Sequence, residues 1–307
     1  MATDLARPSA SAGTRPSRGP GRSSARNGER ISRGWMVVCT IAVVLASIYF
    51  LVPVLWLVIA STKSAGDLFS TSGFAFAGFH LWDNIVNLST YDHGIFWRWS
   101  LNSIIYSVFG SALTTAVCAI TGYAIAVYRF RGRRVLLAAV LASMLVPGTV
   151  IAQPTYVLLV QMGLNNSYAG LLLPALVYSF GVLLCYIYAQ QSVPIELIEA
   201  ARLDGAGEFR IFASIGVRLM GTGLVTVLLF AFLSSWNSYL LPLLVLTDQH
   251  LMPLTVGLTG WNQSAISIPG LQVLTIIGSL ISVIPIAIVF VSLQRFWRSG
   301  LTAGSLR

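Results

Sequence analysis

Residues Val135–Pro194 read VLLAAVLASMLVPGTVIAQPTYVLLVQMGLNNSYAGLLLPALVYSFGVLLCYIYAQQSVP, 60 consecutive residues without Asp, Glu, Lys or Arg. A helix crossing a bilayer needs about 20 apolar residues. The stretch therefore holds two crossings, separated at Gln161–Ser167 by the turn residues Gly163, Asn165 and Asn166. Pro147 and Pro154 predict a break or kink in the first of the two. Working outward, charge-free runs recur from Leu219 to Thr247 and from Gln249 to Gln294.

Across all 307 residues, 56% are hydrophobic and 9% charged, and the mean hydropathy is +0.78. Soluble globular domains carry about 25% charged residues, so that class is excluded. Six spans account for the pattern: about Gly34–Ala60, Leu101–Val127, Val135–Val160, Tyr168–Gln190, Leu219–Leu246 and Leu271–Leu293. Trp35 and Trp56 sit near the ends of the first as interface anchors. The fold class is an all-α polytopic membrane protein with six transmembrane helices. Residues 1–33, rich in Arg, Ser, Gly and Pro, read as a disordered basic tail, and 34–307 as the transmembrane domain.

Charge sets the orientation. With the tail in the cytoplasm, the segments 1–33, 128–134, 191–218 and 294–307 share that side and hold 17 of the 19 Lys and Arg residues. Only Lys63 and Arg98 fall outside. This positive-inside bias places both termini in the cytoplasm. The tail's charge suits anionic lipid rather than nucleic acid, given the adjacent span.

Catalytic and metal sites are not indicated. Cys39, Cys118 and Cys185 each lie in an apolar run, and His80, His93 and His250 lie far apart in polar segments, as surface or interface groups. No nucleophile has a nearby base. The spans contain no ionisable carboxylate or base of the kind ion-coupled carriers use, and the chain has no phosphate-binding GxxxxGK[ST] loop. Energy for uphill movement must come from a partner.

One loop is too long and too patterned to be a connector. Between spans four and five, residues 194–212 read PIELIEAARLDGAGEFRIF, whereas about 2–8 residues suffice between bundle helices. Pro194 followed by Glu196 suits the first turn of a helix. Leu197, Ile198, Ala201 and Leu203 give it an apolar side, with Glu199, Arg202 and Asp204 facing elsewhere. Gly205 and Gly207 then allow a turn, and Phe209, Ile211, Phe212 and Ile215 lead back to the membrane.

Here the sequence resembles a known family. Glu199-Ala200-Ala201 with Asp204-Gly205-Ala206 is similar to the EAA loop of the inner-membrane permease subunits of ATP-binding-cassette importers. Five further blocks resemble the carbohydrate-uptake branch, in particular its maltose-type second permease. They are Leu101-Asn102-Ser103, Tyr128-Arg129-Phe130-Arg131-Gly132-Arg133, Met144-Leu145-Val146-Pro147, Trp236-Asn237-Ser238-Tyr239, and Gln294-Arg295-Phe296 with Gly300-Leu301-Thr302-Ala303-Gly304. The resemblance runs from about residue 35 to 307. Two departures stand out: Arg218 occupies the place where such permeases carry a proline before span five, and Asn237 is followed by Ser238 where an acidic residue is usual.

The resemblance implies a permease subunit of an ATP-driven sugar importer in a bacterial inner membrane. It would form half of the path beside a related second permease, with two ATP-binding subunits and an extracytoplasmic sugar-binding protein as partners. The cytoplasmic EAA coupling helix would dock on the ATPase through Glu199, Ala200, Ala201, Asp204 and Gly205. No cofactor is expected in this chain; ATP and Mg would be held by the partner subunits. Sugars are bound by amides and flat aromatic faces, so Asn102, Gln153, Trp236 and Asn237 are the candidates along the substrate path. The alternatives are a permease for a non-sugar solute such as peptide, polyamine or phosphate, and an autonomous secondary carrier.

Overall fold

The computed structural model describes residues 33–304, with side chains for 34–294 and Phe296. Apart from the backbone of Arg33, the basic tail lies outside the described residues. The chain divides into two units, Met1–Leu51 and Val52–Arg307. In the first, the described residues form the leading part of α1 (Arg33–Ser61), with Trp35, Tyr49 and Phe50 exposed along it.

The second unit is helical throughout its described regular structure. After α1 come α2 (Ala65–Ser70), α3 (Leu81–Thr90), α4 (Ile95–Val127), α5 (Arg133–Ser143), α6 (Gly148–Gln161), α7 (Tyr168–Ala175) and α8 (Ser179–Ser192). Then follow α9 (Ile195–Leu203), α10 (Glu208–Ile211), a π-turn (Phe212–Gly216), α11 (Val217–Leu219), α12 (Gly221–Trp236), α13 (Leu240–Val245), α14 (Leu254–Ser264) and α15 (Leu271–Gly304).

Helix α4 is the element on which the others are assembled, packing against α8 and α12. Its buried residues include a line of small ones, Ser103, Ser107, Ser111, Thr114, Cys118 and Gly122, spaced three or four apart. Within a membrane, such residues let helix backbones approach closely. A Cβ at Gly122 would lie 2.7 Å from the backbone nitrogen of Tyr186 on α8, so only glycine permits this approach.

Among the described residues three stretches are long and apolar enough to cross a membrane without a sharp bend, Gly34–Ser61, Leu81–Val127 and Leu271–Gln294, the second joining α3 to α4 across non-helical Asp92 and His93. Three others are bent pairs: α5 with α6 at 105°, α7 with α8 at 41°, and Glu208–Leu219 with α12 at 81°. The break between α5 and α6 falls at Pro147, which caps α6, while Pro154 is accommodated inside α6.

The expected continuous fourth span is instead broken after Ala175. At the break the Ala175 carbonyl accepts a bond from the Thr114 hydroxyl of α4 at 2.9 Å. The fifth span also departs from expectation: α12 stops at Trp236, and α13 resumes after a gap at Asn237–Tyr239. Entering α12, the chain turns sharply at Met220, without the proline that Arg218 replaces.

Candidate functional site

The loop between α8 and α12 begins with Pro194 in extended conformation, with Glu196 in the first turn of α9, where the helix dipole favours an anion. The helix ends in a Schellman motif. Gly205 N–H donates to the Arg202 carbonyl and Ala206 N–H to the Ala201 carbonyl, both at 3.0 Å. The motif requires a left-handed residue, and Gly205 supplies it at φ +79°. Nothing lies within 4 Å of where its Cβ would be, so backbone conformation, not space, selects glycine here.

Burial separates the two faces of α9. Ile198 is wholly buried among Tyr123, Ile125, Val193 and Ile211, with Ala201 and Ala206 packed against that cluster. Glu196, Leu197, Glu199, Ala200 and Asp204 are exposed. The expected grouping of Leu197 and Leu203 with Ile198 and Ala201 is therefore corrected: Leu203 is 90% exposed and Phe209, just beyond the turn, 81%. A helix nine residues long cannot turn all four apolar side chains to one core, and their outward pair joins the acidic groups on a single exposed surface. Sequence reasoning missed Leu203 and Phe209 as surface residues because apolar type alone gives no direction.

The loop is also tied to α4. Glu208 accepts from Arg202 Nε at 2.7 Å and Nη2 at 3.2 Å, and from the Tyr128 hydroxyl at 2.6 Å. The Arg202 hydrogen bonds, then that of Tyr128, hold the Glu208 carboxyl below its ordinary pKa. Burial and the carboxylate beside it push the Tyr128 phenol up to about 12. Farther along, Gly216 sits so close to the Tyr123 ring that a Cβ there would meet it at 2.8 Å.

Deeper in the bundle, α4, α7, α12 and the segment around Ser238 enclose a cavity of about 330 Å³. Its polar lining comes from Tyr106, Thr114, Tyr178, Ser234, Ser235 and Ser238, and the lining includes no charged residue. Gly110 and Gly148 open the walls.

None of the four proposed substrate contacts lines this cavity. Asn102 is fully buried; its Nδ2 donates to the carbonyls of His250 and Met252, and its Oδ1 accepts from the Tyr168 hydroxyl. Those three bonds engage both polar atoms of the amide within the chain. Trp236 is buried and stacked on Phe232, with ring centroids 5.7 Å apart. Gln153 and Asn237 keep exposed side chains, Asn237 donating to the Leu233 carbonyl at the end of α12. The serines of α12 were missed because they read as neutral helix residues until neighbouring helices enclose them.

Among the described residues no three His, Cys, Asp or Glu side chains gather as a metal site. What the molecule presents is a charged, partly apolar loop at one end of α4 and, along its length, a small cavity whose mostly apolar wall carries a few hydroxyls. The family described as the binding-protein-dependent transport system inner membrane component matches residues 118–300, a range that includes the loop and the cavity lining from Gly148 onward. The chain belongs to this family. It is thus a multi-pass inner-membrane permease. This permease is 33% identical over 231 residues to an arabinooligosaccharides transport system permease protein, AraQ, of Halalkalibacterium halodurans, a match covering 73% of this chain and 79% of that one. To the AraQ protein of Bacillus subtilis it is 30% identical, covering 89% and 96%. It is 29% identical to the diacetylchitobiose uptake system permease protein NgcG of Streptomyces coelicolor, covering 92% and 93%. A chain from the crystal structure of a bacterial ABC transporter that imports the acidic polysaccharide alginate superposes with a TM-score of 0.71 at 24% identity, covering 86% of this permease and 98% of that chain; the fold is shared.

Proposed function

We propose that this permease is one of two membrane-spanning subunits of an ATP-driven oligosaccharide importer, and that α9 is the surface through which ATPase subunits drive it. The observation that carries the reading is the exposed face of α9. Glu199, Leu203 and Phe209 stand in solvent, on a chain whose sequence holds neither a nucleotide loop nor an ion-coupling carboxylate in its spans.

On this reading the chain crosses six times, with 219–246 as the fifth crossing, residues 34–307 as the permease body, both termini in the cytoplasm and residues 191–218 as the coupling loop. A related second permease completes the path, and an extracytoplasmic binding protein delivers the sugar. ATP and Mg belong to the partner subunits. The substrate path follows the cavity, where hydroxyls of Ser234, Ser235 and Ser238 suit a neutral polyol, and Gln153 and Asn237 remain as exposed amides that can contact it. The sugar class is supported by the relatives' names. A further relative, the sn-glycerol-3-phosphate permease UgpE of Salmonella typhi at 28% identity, favours a phosphorylated polyol as the second reading; a cavity lining without Arg or Lys speaks against an anionic cargo.

The test uses the complete transporter in proteoliposomes with radiolabelled arabino-oligosaccharides. Removing one partner of a desolvated charge pair costs about 2–5 kcal/mol, so Glu199→Ala should weaken ATPase retention and Glu199→Lys should weaken it further. Gly205→Val forces a β-branched residue to positive φ and should uncouple uptake while the protein still inserts. Normal uptake and normal co-purification of the ATPase in both Glu199→Lys and Gly205→Val would refute the docking role. Uptake by this chain alone, without any ATPase, would establish a secondary carrier instead.

A further inference from the structure

Helix α9 sends one side chain, Ile198, fully into the core, with Ala201 packed at the edge of the same cluster. A polar restraint joins this packing. Arg202 leaves its last turn, and the Schellman turn brings Glu208 back to the same side six residues later. Among the described residues this is the one pair between an arginine and a carboxylate. The carboxylate does not stop there, because its Oε2 also receives the hydroxyl of Tyr128 at 2.6 Å, 80 residues away in sequence. Tyr128 caps α4, and the Arg202 guanidinium lies 5.8 Å from the centre of its ring. The middle of the same helix contributes Tyr106, Gly110 and Thr114 to the cavity wall.

We propose that Glu208 is a positioning residue for transport, a latch that makes α9 and the Tyr128 end of α4 move as one body, so that displacement of α9 reaches the cavity through α4. This rests on reading α9 as the ATPase-docking surface. Both carboxylate oxygens are engaged, Oε1 by Arg202 alone and Oε2 by Arg202 and Tyr128 together, so the group fixes orientation as well as distance. Its location in solvent fits this role. The Arg202 and Glu208 side chains are 38% and 49% exposed, and exposed ion pairs add little to stability. Loss of the latch should therefore spare folding and alter coupling.

The decisive measurement is arabino-oligosaccharide molecules imported per ATP hydrolysed, in proteoliposomes holding the complete transporter. A hydrogen bond to a charged group is worth enough for about a tenfold effect. Glu208→Gln, which keeps shape and drops charge, should lower the ratio about tenfold. Tyr128→Phe, which removes one hydroxyl from an otherwise unchanged helix end, should lower it about threefold. In the double variant the tyrosine change should add nothing, because the two side chains act through one bond. Wild-type ratios in both single variants, or losses that multiply in the double, would overturn the latch. Should Glu208→Gln fail to assemble, Tyr128→Phe alone decides on the same criterion. Glu199→Lys in parallel separates the two claims. If it strips the ATPase while Glu208→Gln and Tyr128→Phe import normally, the latch fails and docking stands. If it changes nothing, the docking reading fails.

Discussion

At its Asn102 end α4 is held by buried side chains reaching the backbone of 249–254, with the exposed Arg98 Nε also donating to the His250 carbonyl; at its Tyr128 end the apolar packing around Tyr123 and Ile125 is joined by one charged cluster in solvent. The first set is extensive. Trp99 Nε1 donates to the Gln249 carbonyl at 2.8 Å, Asn102 Nδ2 to His250 and Met252, and Tyr106 Oη to Leu251 at 2.9 Å. Ser103 Oγ accepts from Leu254 N–H at 2.7 Å. Trp99, Asn102, Ser103 and Tyr106 are all buried. Opening such a clamp strands several polar groups away from water, each at a cost of about 1–3 kcal/mol, whereas Arg202 and Glu208 can exchange each other for water. One end is built as an anchor and the other as a joint. A helix fixed at one end and adjustable at the other turns small displacements of the loop into rotation about a pivot.

The largest effect should come from the anchor. Asn102→Leu preserves volume but leaves the carbonyls of His250 and Met252 and the hydroxyl of Tyr168 without their partner. Bonds of this kind within membrane bundles average less than in water-excluded soluble cores, so the sum is about 3 kcal/mol rather than the full desolvation of three groups. Detergent melting curves should show it as a clear fall in midpoint. A midpoint shift no larger than that of Glu208→Gln would erase the distinction between the two ends.

Next in size is Gly257→Ala. Gly257 of α14 lies directly against the Trp99 ring, and an added Cβ would enter the space of that ring. Trp99 cannot retreat, being bonded to Gln249 and packed on Trp261 with centroids 4.8 Å apart. Overpacking of this kind costs about 1–3 kcal/mol. Trp99→Phe, which keeps the apolar ring and loses the indole N–H, should cost about 1 kcal/mol. The same melting assay orders the three variants, and an order with Trp99→Phe above Asn102→Leu would show that packing, not hydrogen bonding, fixes the anchor.

These two ends differ also in how far they can be read from the sequence. The Tyr128 end has local punctuation. Pro194 opens a helix, Gly205 closes it, and charge concentrates in 191–218, so the helix and its turn follow from neighbours in the chain. The direction of Leu203 does not, because it depends on which residues Ile198 meets. At the Asn102 end the partners are about 150 residues distant and are backbone atoms, which carry no side-chain identity to recognise. Helix breaks divide in the same way. The break at Pro147 follows from proline chemistry, whereas the break after Ala175 depends on Thr114 of another helix bonding the carbonyl there. At Met220 the chain bends without proline, supported by tertiary packing around the wholly buried Met220 side chain.

The smallest effect is one of acidity, and it belongs mainly to the joint. Glu208 is held below the ordinary glutamate value of 4.5 by the Arg202 and Tyr128 hydrogen bonds. A carboxyl whose folded-state pKa is depressed contributes stability that is fully present above its unfolded pKa and is lost as pH falls through the folded one. Wild type should therefore exceed Glu208→Gln by a small, constant margin at neutral pH. The margin should begin to shrink below about pH 4.5 and close once pH has passed under the folded-state pKa of Glu208. The bonds Asn102 itself makes join an amide to two backbone carbonyls and a hydroxyl, so the deficit of Asn102→Leu should change less than the Glu208 margin over the same interval. Parallel melting series of the three proteins from neutral to acid pH provide the check. A Glu208→Gln margin that stays constant into acid would mean that the carboxylate makes no net contact with Arg202 and Tyr128 in solution. The contrast between an acid-sensitive joint and a less acid-sensitive anchor would then fail.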